Sequence, residues 1–104
     1  MEGISAYKIG GSGPYTLDWH GGTGMFSVVG GSSGFQATNV VLQHDVSGDG
    51  QAAEWKSLGS DAEFTADGQT LFTTSATSIR VVFTGAGSEE YHIVVRPIYE
   101  KKAL

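Results

Sequence analysis

The chain contains no cysteine, and only six of its 104 residues are lysine or arginine. Without cysteine there is no disulfide scaffold, no cysteine-ligated zinc and no thiol nucleophile. The basic residues are scattered and outnumbered by eleven acidic ones, for a net charge of −5, whereas phosphate binding needs clustered lysine and arginine. No apolar run approaches the roughly 18 residues of a membrane-spanning helix. We therefore expect no nucleic-acid partner and no membrane segment.

Glycine, serine and threonine together supply more than a third of the sequence. Glycine alone accounts for 16 residues, about twice its usual share of roughly 7%. Isoleucine, leucine, valine and phenylalanine still make up about 23% of the chain, above the ~20% below which disorder is expected. They stand in short clusters bounded by glycine, which is typical of short strands joined by tight turns. We therefore predict an all-β fold.

The alternation of apolar and polar residues predicts about eight short antiparallel strands. Their spacing of roughly 8–12 residues is typical of a sandwich or barrel. The predicted strands are 15–19, 25–29, 38–46, 53–59, 62–74 (two strands), 78–85 and 91–99. Residues 1–13 are either a further short strand or a flexible N-terminal arm. The prediction is one β-sandwich domain over residues 1–104, of the jelly-roll or immunoglobulin-like kind.

The same pattern predicts turns and a core. Asp49-Gly50 and Asp67-Gly68 are dipeptides that favour hairpin turns, and Pro97 cannot donate to a ladder, so the last strand should end there. One apolar face of each strand should be buried between the sheets. The predicted core consists of Phe26, Val28, Val40, Leu42, Trp55, Phe64, Ile79, Val81, Phe83, Ile93 and Val95.

One segment resembles the start of a calcium-binding loop. Asp45, Ser47 and Asp49 occupy positions 1, 3 and 5, with Gly50 at position 6. Position 12, where such a loop supplies a bidentate glutamate, is Lys56. Because its strongest ligand is replaced by a cation, we interpret the segment as a glycine-rich hairpin turn.

The three histidines, His20, His44 and His92, lack the spacing of a zinc site. His44 falls on an apolar strand face, where we expect a hydrogen-bonded residue at the edge of the core. We predict no metal and no cofactor.

No arrangement of residues indicates catalysis. The sequence has no G-x-S-x-G elbow, and neither 10–13 nor 30–34 continues into the Gly-Lys-Ser/Thr of a phosphate loop. Glu89 and Glu90 are the only adjacent carboxylates, and a glycosidase needs two across a cleft. We therefore expect that the protein is not an enzyme.

Aromatic residues near the ends of the chain and of the first strands are the remaining candidates for function. Tyrosine and tryptophan are enriched at protein interfaces. We predict contact positions at Tyr7, Tyr15, Trp19 and Tyr99, and consider Tyr91 as well. The alternative for each is that it completes the core or a sheet edge.

Residues 24–87 resemble, as a whole, small β-sandwich structural proteins of tailed bacteriophages. The resemblance rests on F-S-V at 26–28, GFQATNVVLQ at 34–43, the turn at 49–50, FTADG at 64–68 and IRVVFTGA at 79–86. These motifs are turns and core strands and contain no catalytic site. The resemblance implies a virion component such as a capsid decoration (cement) protein, a head knob or a tail-associated module.

On this basis we expect a protein that binds the major capsid protein or other virion proteins. We also expect it to self-associate, with a trimer favoured. Its location would be the virion, assembled in the cytoplasm of the bacterial host. The alternative is a carbohydrate-binding or tail-associated adhesion module that uses Trp19, Tyr15 or Trp55 as stacking platforms.

Overall fold

The computed structural model describes residues 4–9, 13–19, 21–32, 34–47, 51–85 and 87–98. They form nine strands and one short 3-10 helix at Ser60–Ala62, and no helix in these ranges is long and apolar enough to cross a membrane. The strands are β1 (Ile4–Ile9), β2 (Tyr15–Asp18), β3 (Gly22–Gly30), β4 (Asn39–Asp45), β5 (Trp55–Ser57), β6 (Glu63–Phe64), β7 (Gly68–Thr74), β8 (Ser78–Thr84) and β9 (Glu90–Pro97).

The strands pair as a ribbon folded about one central hairpin. β4 pairs with β5 at that hairpin, and outward from it β3 pairs with β7, β2 with β8 and β1 with β9, every pair being antiparallel. The outermost pair sets Ile4 opposite Val95, and the innermost sets Asp45 opposite Trp55. The expected turn at 49–50 lies outside the described residues, but the strands flanking it pair as a hairpin would require.

The folded ribbon divides into two sheets. One has the order β1-β9-β3-β7 and the other the order β2-β8-β4-β5. β6 also pairs with β4, but with residues 40–41, whereas β5 pairs with residues 43–45. β5 and β6 therefore follow one another along β4 and together fill one strand position. Eight strand positions in two sheets, with the chain passing repeatedly between them, make a jelly roll. An immunoglobulin-like sandwich would keep the first two strands in one sheet, whereas β1 and β2 lie in different sheets.

The core follows the predicted alternation. In β3 the fully buried side chains are the even-numbered Phe26 and Val28. In β8 they are the odd-numbered Ile79 and Val81. Eight of the eleven predicted core residues are buried, and Phe64 and Phe83 pack against them from the side. Each large apolar side chain that leaves water contributes about 1.5–3 kcal/mol, so this set accounts for a single cohesive core. Pro97 ends β9, as expected.

The hairpin predicted at Asp67-Gly68 is wrong. β6, before this dipeptide, pairs with β4, whereas β7, after it, pairs with β3 in the other sheet. The dipeptide does mark a turn, but the turn carries the chain from one sheet to the other. Asp67 Oδ1 accepts a hydrogen bond of 2.8 Å from the Gly30 N–H, which ties this connection to the end of β3.

The N-terminal stretch contains a strand. Ile4–Ile9 forms β1 and pairs along its length with β9 at the edge of the four-stranded sheet. Of the two possibilities left open for residues 1–13, a short strand is therefore what residues 4–9 adopt.

Candidate functional site

The outer face of the four-stranded sheet carries several exposed or half-buried apolar side chains. Alternate residues of β3, β7 and β9 point away from the core, and cross-strand partners share a face. On this side Met25 lies opposite Leu71, and Val94 lies opposite Ser27. Leu71 is 64% exposed and Val29 is 40% exposed. We call the surface formed by Met25, Val29, Leu71 and Val94 the apolar face.

The apolar face carries no carboxylate at its centre, although the chain has a net charge of −5. Thr23, Ser27, Gln69 and Thr73 surround the apolar side chains on β3 and β7, and the Thr23 and Thr73 hydroxyls share a hydrogen bond of 2.9 Å. Along β9 the outward residues are Glu90, His92, Val94 and Arg96. The two charged residues are exposed and stand at opposite ends of this strand.

The outer face of the second sheet has a different character. Its one outward valine pair is Val41 opposite Val82, and Val41 is only 8% exposed. Its carboxylates include Asp18, Asp45 and Glu63 at strand ends. The exposed apolar side chains and most of the strand carboxylates therefore lie on opposite sides of the sandwich, with Glu90 at one end of β9 as the exception.

Trp55 lies on this second outer face, so the prediction of an inward Trp55 is wrong. β5 has only three residues, and its register sets Trp55 opposite Asp45. In β4 the even-numbered residues Val40 and Leu42 point into the core, so the odd-numbered Asp45 points away from it. Trp55 shares the outward face of its cross-strand partner. The Arg80 guanidinium lies 4.6 Å from the centre of the indole ring, and Arg80 Nε donates a hydrogen bond of 2.8 Å to Gln43 Oε1. We call Trp55, Arg80 and Gln43 the tryptophan platform. All three side chains are half-buried.

The Asp45 carboxylate holds the base of the central hairpin. Asp45 Oδ1 accepts hydrogen bonds from the N–H groups of Ser47 at 2.9 Å and Glu54 at 3.0 Å. The Ser47 side chain and these N–H groups together keep the pKa of Asp45 below its usual value. Lys56 pairs with Glu54 at 3.7 Å. The oxygen that would begin a calcium loop thus serves as a turn acceptor. The described residues contain no cluster of three or more metal-ligating side chains.

A buried tyrosine hydroxyl joins two loops at one end of the sandwich. Tyr91 is fully buried, and its hydroxyl donates a hydrogen bond of 2.6 Å to Glu89 Oε2. The Tyr91 hydroxyl oxygen also accepts hydrogen bonds from the N–H groups of Ala37 at 2.8 Å and Gln36 at 3.2 Å. The Tyr91 hydroxyl lowers the pKa of Glu89, while burial and then the Glu89 carboxylate raise the pKa of Tyr91. Tyr91 is therefore a structural residue and not a surface contact.

Of the predicted contact residues, the structure describes the side chains of Trp19 and Tyr15, and it does not place both at the surface. Trp19 is 1% exposed and packs on Phe72 with ring centres 5.0 Å apart, so its prediction as a contact residue is wrong. Tyr15 is half-buried at the rim of the core, edge-on to Phe83. Tyr7 lies opposite His92 in the β1–β9 register, and Tyr99 lies outside the described residues.

The histidine expected at the core edge does lie there. His44 Nδ1 and Thr74 Oγ1 share a hydrogen bond of 2.6 Å, which connects β4 in one sheet to β7 in the other. The threonine hydroxyl also accepts a bond from the Ala76 N–H at 3.1 Å. His44 is therefore a link between the two sheets.

The sequence does contain a signal for the apolar face. Four apolar doublets, Met25-Phe26, Val28-Val29, Leu71-Phe72 and Val94-Val95, each place one residue inside and one outside. No protein-family model and no curated protein matches the chain. The resemblance to phage structural proteins therefore stays a prediction.

Proposed function

We propose that this protein is a non-enzymatic structural protein of a bacteriophage virion, a capsid decoration (cement) or head-knob protein that binds the shell and self-associates. The observation that carries the proposal is the exposed apolar face. Large contiguous apolar patches are rare on monomeric proteins and mark interaction sites, and this face gathers exposed and half-buried apolar side chains of three strands. The jelly roll recurs in viral capsid and lectin domains, which agrees with the proposal without selecting a function by itself.

The polar groups of the described residues support a binding role over a catalytic one. The ionisable side chains of Asp45, Glu89 and His44 each form a hydrogen bond to another part of the chain, and each of these bonds stabilises the fold. The proposed partners are the major capsid protein or another virion protein. A cysteine-free chain also suits assembly in the reducing cytoplasm of a bacterial host.

Co-sedimentation tests this proposal. We expect the purified protein to pellet with empty tailed-phage heads that lack a decoration protein, and to saturate at a fixed ratio to capsid subunits. Heads already covered by a decoration protein should bind much less. Folded protein that stays in the supernatant at every concentration, with head-free samples as the baseline, would contradict the proposal.

The second candidate is a carbohydrate-binding or adhesion module, and the tryptophan platform favours it. An indole on a solvent-facing sheet can stack on a sugar ring, and the neighbouring Arg80 and Gln43 supply hydrogen-bonding groups. The described residues place no carboxylate within ion-pair distance of the Arg80 guanidinium.

If this second candidate holds, affinity electrophoresis in polysaccharide gels should show retardation of the wild-type protein. The Trp55→Ala variant should lose it because the stacking surface is removed, while Leu71→Ala, on the opposite side of the sandwich, should keep it. Equal mobility of all three proteins in every polysaccharide would reject a role in glycan binding.

A further inference from the structure

We propose that the apolar face is the contact surface between two copies of this chain, packed face to face about a two-fold axis. The inference deepens the proposed function, because that function includes self-association without saying which surface is used. It also names a dimer where the resemblance favoured a trimer. Three features of the face support it, namely its exposure, its lack of central acidic charge and the arrangement of the two charges along β9.

The first feature is exposed apolar area on regular strands. Leu71 and Val29 are 64% and 40% exposed, and Met25 and Val94 lie half-buried between them. Ile98 extends this surface just past β9, where it is 42% exposed and its N–H donates to the Thr23 carbonyl at 2.9 Å. These side chains stand on hydrogen-bonded strands, so a partner would meet a surface that needs little ordering on binding.

The second feature identifies the occupant by charge. Two copies of a chain with net charge −5 repel each other, and the cost is least where neither surface carries carboxylates. Six of the eight described acidic residues lie elsewhere, on the second sheet or in loops: Asp18, Asp45, Glu54, Asp61, Glu63 and Glu89. The other two, Asp67 and Glu90, stand at one end of the face, where Asp67 bonds to the Gly30 N–H. A strongly basic partner would select those acidic regions, whereas another copy would select the apolar face.

The third feature makes the face complementary to itself. Glu90 and Arg96 are exposed on the same side of β9, six residues apart, which corresponds to roughly 20 Å of strand. A second copy turned end over end runs its β9 in the opposite direction, so Arg96 of each copy comes to lie near Glu90 of the other. Between these two charge pairs, apolar and uncharged polar side chains meet. A two-fold interface requires this kind of self-complementarity.

Sedimentation-velocity mass over a range of protein concentrations tests the inference. We expect the wild-type protein to reach twice its 10.9 kDa monomer mass. Val29→Glu, which puts a charge near the centre of the face, should weaken dimerisation at least about tenfold, the factor that 1.4 kcal/mol represents. Thr16→Glu is the matched control, because it adds the same charge at an exposed position on the other sheet, and it should still dimerise.

Charge reversal at the two ends of β9 provides a test that does not depend on disturbing apolar packing. Arg96→Glu and Glu90→Arg should each weaken the dimer, because each brings like charges together. The variant that combines both substitutions should recover dimerisation, because the pairs are restored with opposite sign. Circular dichroism would confirm that all variants stay folded, as expected for exposed positions.

Three outcomes would overturn the inference: a wild-type monomer at all concentrations, a trimer, or a dimer that tolerates both Val29→Glu and the single charge reversals. Co-sedimentation with heads decides the proposed function separately. A wild-type monomer that saturates heads would reject this dimer and leave shell binding in place. A dimer that fails to bind heads would do the reverse.

Discussion

The Trp19→Ala variant is expected to lose about 3–5 kcal/mol of unfolding free energy, the usual cost of removing a large aromatic side chain from a packed core. Trp19 is fully buried next to Phe72, and the chain makes room for both rings with a glycine. A Cβ at Gly24 would lie 2.7 Å from the Phe72 ring and would also collide with the indole. Urea unfolding followed by far-UV circular dichroism measures the loss.

The second tryptophan is the matched control for this prediction. Trp55→Ala removes the same side chain from the tryptophan platform, where the main loss is the contact with Arg80. A cation–π contact at such a site contributes about 0.5–1 kcal/mol, so the loss of stability should be several-fold smaller. Trp19→Phe should also be mild, because it keeps an apolar ring and removes an indole N–H that has no acceptor among the described residues. Similar losses for the two alanine variants would contradict the core position of Trp19.

The fold was predictable from the sequence where strands obey a period of two. Ile79-Arg80-Val81 and Tyr91-His92-Ile93 alternate strictly, and in each the odd-numbered side chains are the buried ones. Single-strand patterns of this kind fix which side chains face inward. They do not fix which strands pair across long separations. Asp67-Gly68 illustrates the gap, because a turn dipeptide is compatible with either a hairpin or a passage between sheets.

The candidate surfaces were less predictable, for a related reason. Trp55 belongs to a strand of three residues, too short for its own alternation to show which way the indole points. Its orientation is set by its register against β4, which is a tertiary property. Trp19 was predicted as a contact residue because it is an aromatic at the end of a predicted strand and tryptophan is enriched at interfaces. The space left for it by Gly24, in the next strand, becomes visible only once both strands are placed.

The apolar face shows a further limit of single-strand patterns. In a strand, a doublet such as Leu71-Phe72 predicts that one residue is buried and the other faces outward. Phe72 is the buried one, with 6% of its surface exposed. Only the sheet order brings Leu71 beside Met25 and Val29 near Val94. A surface assembled from three strands far apart in sequence cannot be recognised from any one of them.

The Tyr91→Phe variant is expected to lose about 1–3 kcal/mol, although it removes a single oxygen. The Ala37 N–H is buried and bonds to the Tyr91 hydroxyl at 2.8 Å, so phenylalanine would leave this donor without a partner. An unsatisfied buried donor costs far more than the net value of an average hydrogen bond. Chemical denaturation at pH 7 measures the loss.

The same variant should change how stability depends on pH. The Tyr91 hydroxyl lowers the pKa of Glu89 in the folded protein, so the unfolded chain takes up the proton first as the pH falls. The stabilisation is therefore complete above the unfolded pKa and is lost below about pH 5, as the pH falls through the folded pKa. Asp45, whose pKa is also lowered, contributes a similar acid-side loss to both proteins. The difference between wild type and Tyr91→Phe isolates the part of the Glu89 effect that depends on the Tyr91 hydroxyl, because the Gly87 N–H still bonds to Glu89 in both proteins.

Glu89→Gln separates the two parts of this network. The amide still offers an oxygen to the Tyr91 hydroxyl, so stability at pH 7 should fall less than in Tyr91→Phe. Because glutamine does not titrate, the Glu89 component of the acid-side loss should disappear entirely. If Glu89→Gln kept the full wild-type pH dependence, or if Tyr91→Phe were as stable as wild type, the hydroxyl would not be what ties the loop containing Ala37 to the start of β9.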